Sequence, residues 1–212
     1  YLDFVHGDAA RGEAALSQLS QIYRRNPQTL IQLATFAGDG GDYSQATELL
    51  KSALKLSPLT TETALKTTKR WDSVSAEDIL EEDPLTWRAA SVFILREEKD
   101  NEQLLRKCLA GLQCELCESN AEKSSCQIQA AELAYELKDF EQALKNYGSA
   151  VELSPDDREW RLKYINRLKE SGRRDEARLQ AQRGRRMFPQ DARFDNFIKE
   201  MAKEDLGPVD PE

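Results

Sequence analysis

GDYSQATELLKSALKLSP, residues 41–58, returns in altered form at residues 138–155 as KDFEQALKNYGSAVELSP. The two stretches are identical at eight of eighteen positions and lie 97 residues apart. The Gly-Asp pair that begins at Gly41 also has a copy 34 residues earlier, at Gly7. Because a fixed period of this length is typical of stacked helical units, we interpret the phrase as a building block rather than a catalytic motif.

Small residues and prolines recur at fixed places in a 34-residue frame in which Gly41 is position 15. An alanine or glycine at a helix crossing lets the two axes approach to about 8–10 Å, the distance of close packing. Proline cannot continue a helix and therefore closes each unit. Position 20 holds Gly12, Ala46, Ala143 and Ala177, with Leu104 as an exception; position 27 holds Ala53, Gly111, Ala150 and Gly184, with Leu19 as an exception; position 32 holds Pro58, Pro155 and Pro189.

These residues resemble the tetratricopeptide repeat (TPR) family, whose unit is a pair of antiparallel helices, A and B, with small residues where the two cross. The resemblance is strong at residues 27–58 and 124–191 and weaker at residues 7–26 and 85–118. It implies an all-α fold, a right-handed α-solenoid of antiparallel helix pairs (a TPR-like superhelix) with a C-terminal capping helix. No strand is predicted.

A single TPR-like domain of about five to six repeats is predicted over residues 1–204, with a disordered tail over residues 205–212. Because 97 is not a multiple of 34, the period must be interrupted. Residues 59–84 are interpreted as a shortened repeat, and residues 114–125, CELCESNAEKSS, as a longer loop after a long helix B. The predicted helices span residues 9–25, 28–38, 43–56, 60–71, 75–82, 85–98, 101–118, 124–137, 140–153, 158–171, 174–187 and 192–204.

Local patterns support several of these helices. Ser75 and Asp78 form an approximate capping box that opens a short helix ending before Pro84. Trp87 and Trp160 both occupy position 3 of a helix A, where an aromatic side chain is predicted to pack between neighbouring units. The last helix has one apolar stripe, as expected of a terminal cap that shields the stack. This stripe consists of Phe194, Phe197, Ile198 and Met201.

Charge and hydropathy limit the partners. The chain has 212 residues, 32% of them charged, and a net charge of −8, which disfavours nucleic acid as a partner. No run of about 18 apolar residues is present, so no direct membrane insertion is expected. Seven arginines between residues 173 and 193, and six acids between residues 72 and 83, are interpreted as solvated faces. The alternative for the arginines is an anion or partner patch near the C-terminal end.

The first residue, Tyr1, is not methionine, so we expect a segment of a longer or processed protein. The localisation expected from the sequence is therefore a soluble segment, either cytoplasmic or extracytoplasmic.

The chain shows no pattern that is typical of an enzyme. His6 is the sole histidine, and one histidine cannot supply a zinc cluster or a Ser/His/Asp relay. GxGxxG, GxxxxGK[ST], HExxH and GxSxG are all absent. Residues 38–43, GDGGDY, lack the lysine and hydroxyl residue of a phosphate loop and are interpreted as a turn between helices. We predict a non-catalytic protein without a cofactor.

The cysteines leave two alternatives open. Cys108, Cys114, Cys117 and Cys126 fall within nineteen residues, and residues 114 and 117 form a CxxC. Four thiolates could hold zinc, or a disulfide could staple the long loop to the next helix A. The spacings match no known zinc signature, and Cys108 occupies a position that is usually apolar core. No metal site is therefore predicted, and the four cysteines stay as candidates.

The resemblance implies that positions 2, 5, 9, 12 and 13 of each helix A line a concave groove that binds an extended partner. The lysine and asparagine pattern of chaperone carboxylate clamps is missing at these positions, so an amphipathic helix or extended segment is the expected ligand. The alternative for the apolar members is packing within the chain. The predicted groove residues are Gln28, Ile31, Thr35, Phe93, Arg96, Ile128, Glu132, Tyr135, Leu162, Asn166 and Lys169.

The function that these patterns favour is a protein–protein interaction scaffold, with another protein or a peptide segment as its partner and a homo-oligomer left open. One alternative is the soluble TPR tail of a larger bacterial membrane protein or enzyme, of the kind found in O-antigen ligase-like polymerases. The other alternative is a metal or redox module built on the four cysteines.

Overall fold

The computed structural model of the protein describes residues 9–80, 84–112 and 114–205. Over these ranges the chain is all-α, as the sequence predicts, and no strand occurs within them. The predicted tail lies outside the described residues except for Asp205, which ends the last helix. The Gly7 turn and His6 also lie outside them.

Twelve α-helices lie in the described part of the chain, and most of their bounds fall within two residues of the prediction. They are α1 Ala9–Ile22, α2 Pro27–Asp39, α3 Tyr43–Leu56, α4 Thr61–Thr68, α5 Ala76–Ile79, α6 Pro84–Glu97, α7 Glu102–Gly111, α8 Asn120–Glu136, α9 Phe140–Leu153, α10 Arg158–Glu170, α11 Arg174–Met187 and α12 Ala192–Asp205, with 3-10 turns at Pro58–Thr60 and Cys114–Leu116.

The chain divides into two compact units, Tyr1–Leu112 and Gln113–Glu212. Each unit is built from helix pairs that pack against their neighbours in the chain, α2 on α3 and α6 on α7 in the first, α8 on α9 and α10 on α11 in the second. The single domain predicted over residues 1–204 stays a prediction.

The two related stretches, residues 41–58 and 138–155, form the same local structure, a turn followed by a helix B. Asp42 accepts a hydrogen bond from the Gln45 amide (2.9 Å), which caps α3, and Asp139 caps α9 through the Gln142 amide (3.1 Å). The preceding residue is Gly41 in one phrase and Lys138 in the other, and both have positive φ, 89° and 61°. Only glycine adopts this conformation without a steric penalty.

The small residues of the frame allow the close packing predicted for them. Ala46, Ala53, Ala143, Ala150 and Ala177 are all 0% exposed. Gly184 lies directly under the Phe194 ring, and Gly111 lies under the Trp87 ring, so a methyl group at either glycine would overlap an aromatic side chain. A third glycine of this kind, Gly38, lies inside α2 under Trp71 rather than in a turn, which corrects part of the interpretation of residues 38–43.

The shortened repeat contains less helix than predicted. The predicted helix over residues 60–71 becomes the 3-10 turn at Pro58–Thr60 and the eight residues of α4. Trp71 follows α4, and its indole nitrogen donates to the Asp39 carboxylate (3.0 Å), so the end of this segment is tied to α2. The capping box of Ser75 and Asp78 forms as predicted and starts α5.

The cysteine-bearing segment differs from the prediction at both ends. Helix α7 ends at Gly111 instead of residue 118, because Leu112 leaves the helical region with ψ at 83°. Helix α8 begins at Asn120, four residues before the predicted start, because Ser119 and Glu122 form a capping box. The extra residues therefore lengthen a helix A as well as a loop.

The second unit ends in the predicted cap. Phe194 and Met201 are 0% and 1% exposed and belong to one core cluster with Ile165 and Leu168 of α10. Phe197 and Ile198 pack on this cluster while remaining partly exposed. The apolar stripe of α12 thus covers the last helix pair, and the prediction for these four residues is confirmed.

Candidate functional site

The structure corrects the apolar part of the predicted groove. Ile31, Phe93 and Ile128 are 5%, 3% and 7% exposed, so they belong to the core and offer a partner little surface. Ile128 packs with Tyr147 of α9. Leu162 is also buried, at 6% exposed, but it forms part of a cavity wall described below. The alternative of packing within the chain is the one observed for Ile31, Phe93 and Ile128, whereas Leu162 packs in the core and also borders the cavity.

The polar members lie nearer the surface. Gln28, Arg96 and Asn166 are exposed, and Thr35, Glu132, Tyr135 and Lys169 are partly buried. The Thr35 hydroxyl donates to the Ile31 carbonyl (2.9 Å), a bond inside its own helix. Because the eleven residues are distributed over the two units, each group is described by itself.

In the first unit, Arg96 takes part in an ionic network. Its guanidinium contacts Glu62 of α4 (2.8 Å) and its neighbour Glu97 (2.9 Å). Lys66 also pairs with Glu62 (2.7 Å), and its hydrogen bond, followed by that of Arg96, holds the pKa of Glu62 below its ordinary value. The same contacts raise the pKa of Arg96, with the hydrogen bond to Glu62 as the largest cause. These charges are exposed, so they orient one another more than they stabilise the fold.

In the second unit, Tyr135 is held by two residues of α10. Its hydroxyl donates to Glu170 (2.8 Å), and the guanidinium carbon of Arg167 lies 3.6 Å from the centroid of its ring. The hydrogen bond to Glu170 raises the pKa of Tyr135. Burial alone would raise the pKa of Glu170, but hydrogen bonds from Arg167 and Tyr135 outweigh it and the pKa is lowered.

Glu132 completes this ionic surface between α8 and α10. It accepts from Lys163 (2.7 Å) and lies 3.6 Å from Arg167. The sequence analysis did not identify Lys163 and Arg167, which lie one turn apart on α10. Each directly follows a predicted groove residue, Leu162 or Asn166. The helical spacing of i and i+4 was the signal that could have found them.

A cavity of about 350 Å³ lies between α10 and α12 of the second unit. Leu162 and Phe197 supply apolar surface, and Asn166 and Asn196 supply amide groups. Neither side-chain amide makes a hydrogen bond to any part of the chain that the structure describes. The charged residues around them are Glu159, Lys163, Arg193 and Glu200.

The charged rim of this cavity is internally paired. Arg193 holds Glu159 (2.7 Å) and Asp191 (2.7 Å), and Lys169 pairs with Glu200 (2.8 Å). The hydrogen bond from Arg193 lowers the pKa of Glu159 and brings that of Asp191 to about 2. Since these charges neutralise one another, the uncommitted groups of the cavity are its two amides and its apolar wall.

Two of the four cysteine candidates form a disulfide. Cys114 and Cys126 are bonded, with their Cα atoms 5.5 Å apart, so the 3-10 turn is tied to α8 as the stapling alternative proposed. Cys108 is a free thiol buried in the core, and burial raises its pKa to about 12, which leaves almost no thiolate near neutral pH. A zinc site of four thiolates is therefore not what the structure shows. Among the described residues, no group of three or more His, Cys, Asp or Glu could hold a metal ion.

A match to a protein family supports the repeat assignment in the second unit. Residues 134–200 match the family model of the tetratricopeptide repeat. The chain is similar to the crystal structure of YrrB, a TPR protein with an unusual peptide-binding site, at 16% identity and a TM-score of 0.49, covering 92% of this chain and 86% of that one. It is also similar to a chain of the APC/C hetero-tetramer Cut9–Hcn1, at 13% identity and a TM-score of 0.49, covering 93% of this chain and 40% of that one.

No curated protein matches the sequence at a significant level. The chain is a helical repeat protein, and in residues 134–200 its repeats are tetratricopeptide repeats. None of the helices in the described ranges is long and apolar enough to cross a membrane.

Proposed function

We propose that the protein is a non-catalytic interaction scaffold that binds a segment of another protein, and that the cavity between α10 and α12 is a contact site for that segment. The observation that carries the proposal is the pair of uncommitted amides, Asn166 and Asn196, beside the apolar surface of Leu162 and Phe197. The tetratricopeptide repeats of the same unit support a protein partner.

An asparagine amide suits an extended peptide because it donates and accepts at once and can pair with a backbone N–H and C=O of the ligand. An apolar wall beside such amides accommodates one side chain of the bound segment. The paired charges on the rim would favour a segment with mixed or little charge over a strongly acidic or basic tail, since no unbalanced charge faces the cavity.

A peptide library displayed on phage and selected against the whole chain tests this proposal. We expect selected peptides to bind the Asn166→Ala variant about tenfold more weakly, because one hydrogen-bonding group is lost from a desolvated contact. Asn120→Ala is the matched control, since Asn120 is an exposed asparagine of the same unit that does not line this cavity. Peptides that bind both variants and the natural chain equally would overturn the assignment of the site, and a selection without specific binders would overturn the function.

A further inference from the structure

A second cavity of the C-terminal unit lies away from the predicted groove. It has a volume of about 360 Å³ and is bordered by three consecutive helices, α9, α10 and α11. Gly148 and Glu152 come from α9, Arg161 and Tyr164 from α10, and Gln180, Arg183 and Arg186 from α11. None of the eleven predicted groove residues lines it.

Arg161 is a buried cation in the wall of this cavity and has no carboxylate partner in the part of the chain that the structure describes. Its side chain is 4% exposed, and its guanidinium donates to the Gln180 side-chain oxygen (2.9 Å), the Pro155 carbonyl (3.2 Å) and the sulfur of Met187 (3.6 Å). All three acceptors are neutral. The Nε of the same guanidinium is buried and has no hydrogen-bond partner among the described residues.

A buried charge of this kind is unusual, because removal from water is unfavourable unless an opposite charge compensates it. Burial lowers the pKa of Arg161, and repulsion from Arg183 lowers it further. The guanidinium still stays charged near neutral pH, as arginine does in proteins. The buried charge of Arg161 is therefore not compensated by any ion pair among the described residues.

Two more arginines lie on the cavity wall, one turn apart on α11. Arg183 and Arg186 are exposed and form no ion pair with the described residues, whereas their neighbour Arg185 pairs with Asp195 (3.4 Å). The opposing charge in the wall is Glu152, so three guanidinium groups face one carboxylate and two positive charges remain in excess. Of the two interpretations given to the arginine run, the anion patch is the one that this arrangement favours.

We propose that this cavity is an anion site that takes a phosphate monoester dianion, held by Arg161, Arg183 and Arg186. The guanidinium forks of Arg183 and Arg186, together with the unpartnered Nε–H of Arg161, match the several oxygens of a phosphate group. The phosphate charge of about −2 balances the excess positive charge. A single carboxylate would leave one positive charge uncompensated.

The uncharged part of the wall fits the same ligand. The Tyr164 hydroxyl makes no hydrogen bond to the described residues, and burial raises its pKa, so it remains a donor. The space in front of the Tyr164 hydroxyl is open because residue 148 is glycine. A Cβ at that position would lie 3.3 Å from the hydroxyl oxygen. An oxyanion in the cavity can therefore accept from a neutral donor as well as from the arginines.

Isothermal titration calorimetry of the whole chain with O-phosphoserine, and with a short phosphoserine peptide, tests the proposal at about 0.15 M salt. We expect binding of both probes and none of serine or the unphosphorylated peptide. Arg183→Ala and Arg186→Ala should each weaken binding about tenfold, since each removes one charge-assisted contact. Arg185→Ala is the control, because it removes an equal charge from the same helix outside the cavity. If Arg185→Ala loses as much affinity for phosphoserine as Arg186→Ala does, the assignment of the site is refuted.

The Arg161 Nε–H provides a second readout that needs no substitution of a buried residue. Its ¹⁵N–¹H signal should shift on addition of phosphoserine, because this N–H gains an acceptor, while the Arg185 signal should stay in place. Binding without movement of the Arg161 signal, or equal affinity for phosphoserine and sulfate, would show an unspecific surface effect and refute the proposal.

The two probes also distinguish the sources of the phosphate. Tighter binding of the phosphopeptide than of O-phosphoserine would support a phosphorylated protein segment as the ligand. Equal binding would support a small phosphorylated molecule. Both results support the anion site, and the site is tested independently of the proposed peptide contact at α10 and α12.

Discussion

The contact between Gly184 and Phe194 provides a sharp test of how the last repeat is built. A Cβ at residue 184 would overlap the Phe194 ring, which is 0% exposed and enclosed by the core, so the ring has no free space into which it can move. Overpacking of a core typically destabilises by about 1–3 kcal/mol. Because the overlap involves a buried ring, the upper part of this range, about 2–3 kcal/mol, applies here. Alanine gains about 1 kcal/mol over glycine in a helix, which leaves Gly184→Ala about 1–2 kcal/mol less stable than the natural chain.

Gly148→Ala is the matched variant. Gly148 also lies within a helix of the same unit, but a Cβ there meets the tip of Tyr164, at 3.3 Å from its hydroxyl oxygen, and the tip of a side chain can move. We therefore expect Gly148→Ala to be about as stable as the natural chain or up to about 1 kcal/mol more stable. The two substitutions change the same atoms, so their difference isolates the aromatic contact.

Urea unfolding followed by circular dichroism measures both changes, provided that the slope of the transition is unchanged. A third variant, Phe194→Leu, removes the obstructing ring. In that background Gly184→Ala should lose its penalty and gain roughly 0.5–1 kcal/mol from helix propensity, which is the coupling expected of residues in contact. If Gly184→Ala is as stable as the natural chain, or equally destabilising with and without Phe194, the packing argument is refuted.

Four further predictions concern the cysteines and one helix cap. Replacing Cys114 and Cys126 by serine should lower the free energy of unfolding by about 3 kcal/mol, because the loop closed by the disulfide regains its entropy in the unfolded chain. Thermal unfolding with and without reductant measures this loss, and an unchanged midpoint of unfolding would contradict it. Cys108 should not react with a thiol reagent at pH 8.5 in the folded chain while two thiols react in denaturant, and a fast reaction in the folded chain would contradict its burial. The pKa of the Cys108 thiol is about 12 in the folded chain and 9 in the unfolded chain. The thiol therefore contributes stability that is fully present below pH 9 and is lost as the pH rises towards 12. The midpoint of thermal unfolding, measured as a function of pH and compared with that of Cys108→Ala, tests this. Asp139→Ala should lower the free energy of unfolding by about 1 kcal/mol through the loss of the α9 cap, and Asp139→Asn should restore most of it.

The helix pattern could be predicted because its causes are local in the sequence. Capping aspartates such as Asp42 and Asp139, prolines that stop a helix, and alanines at crossings all act within one or two turns, and the helices form at those places. The shortened repeat and the capping box at Ser75 were found for the same reason.

The direction in which side chains face could not be predicted with the same accuracy. Position numbers taken from the repeat assigned Phe93 and Ile128 to an open groove, whereas the structure buries both. Whether a residue on the border of a helix face is covered depends on how far the next helix shifts, and that shift follows from side chains more than thirty residues away. Trp71 on Gly38 is one such contact.

The sequence by itself determined that this chain forms helix pairs with a 34-residue period, small residues at the crossings and an apolar terminal helix. Those features depend on propensity, capping and periodicity, which neighbouring residues decide. Only the tertiary structure decided which cysteines bond, which groove positions are covered, and that Arg161 is buried near Arg183 and Arg186 without an ion-pair partner among the described residues. These outcomes depend on distances between separate helices, and such distances are set by the packing of the whole unit.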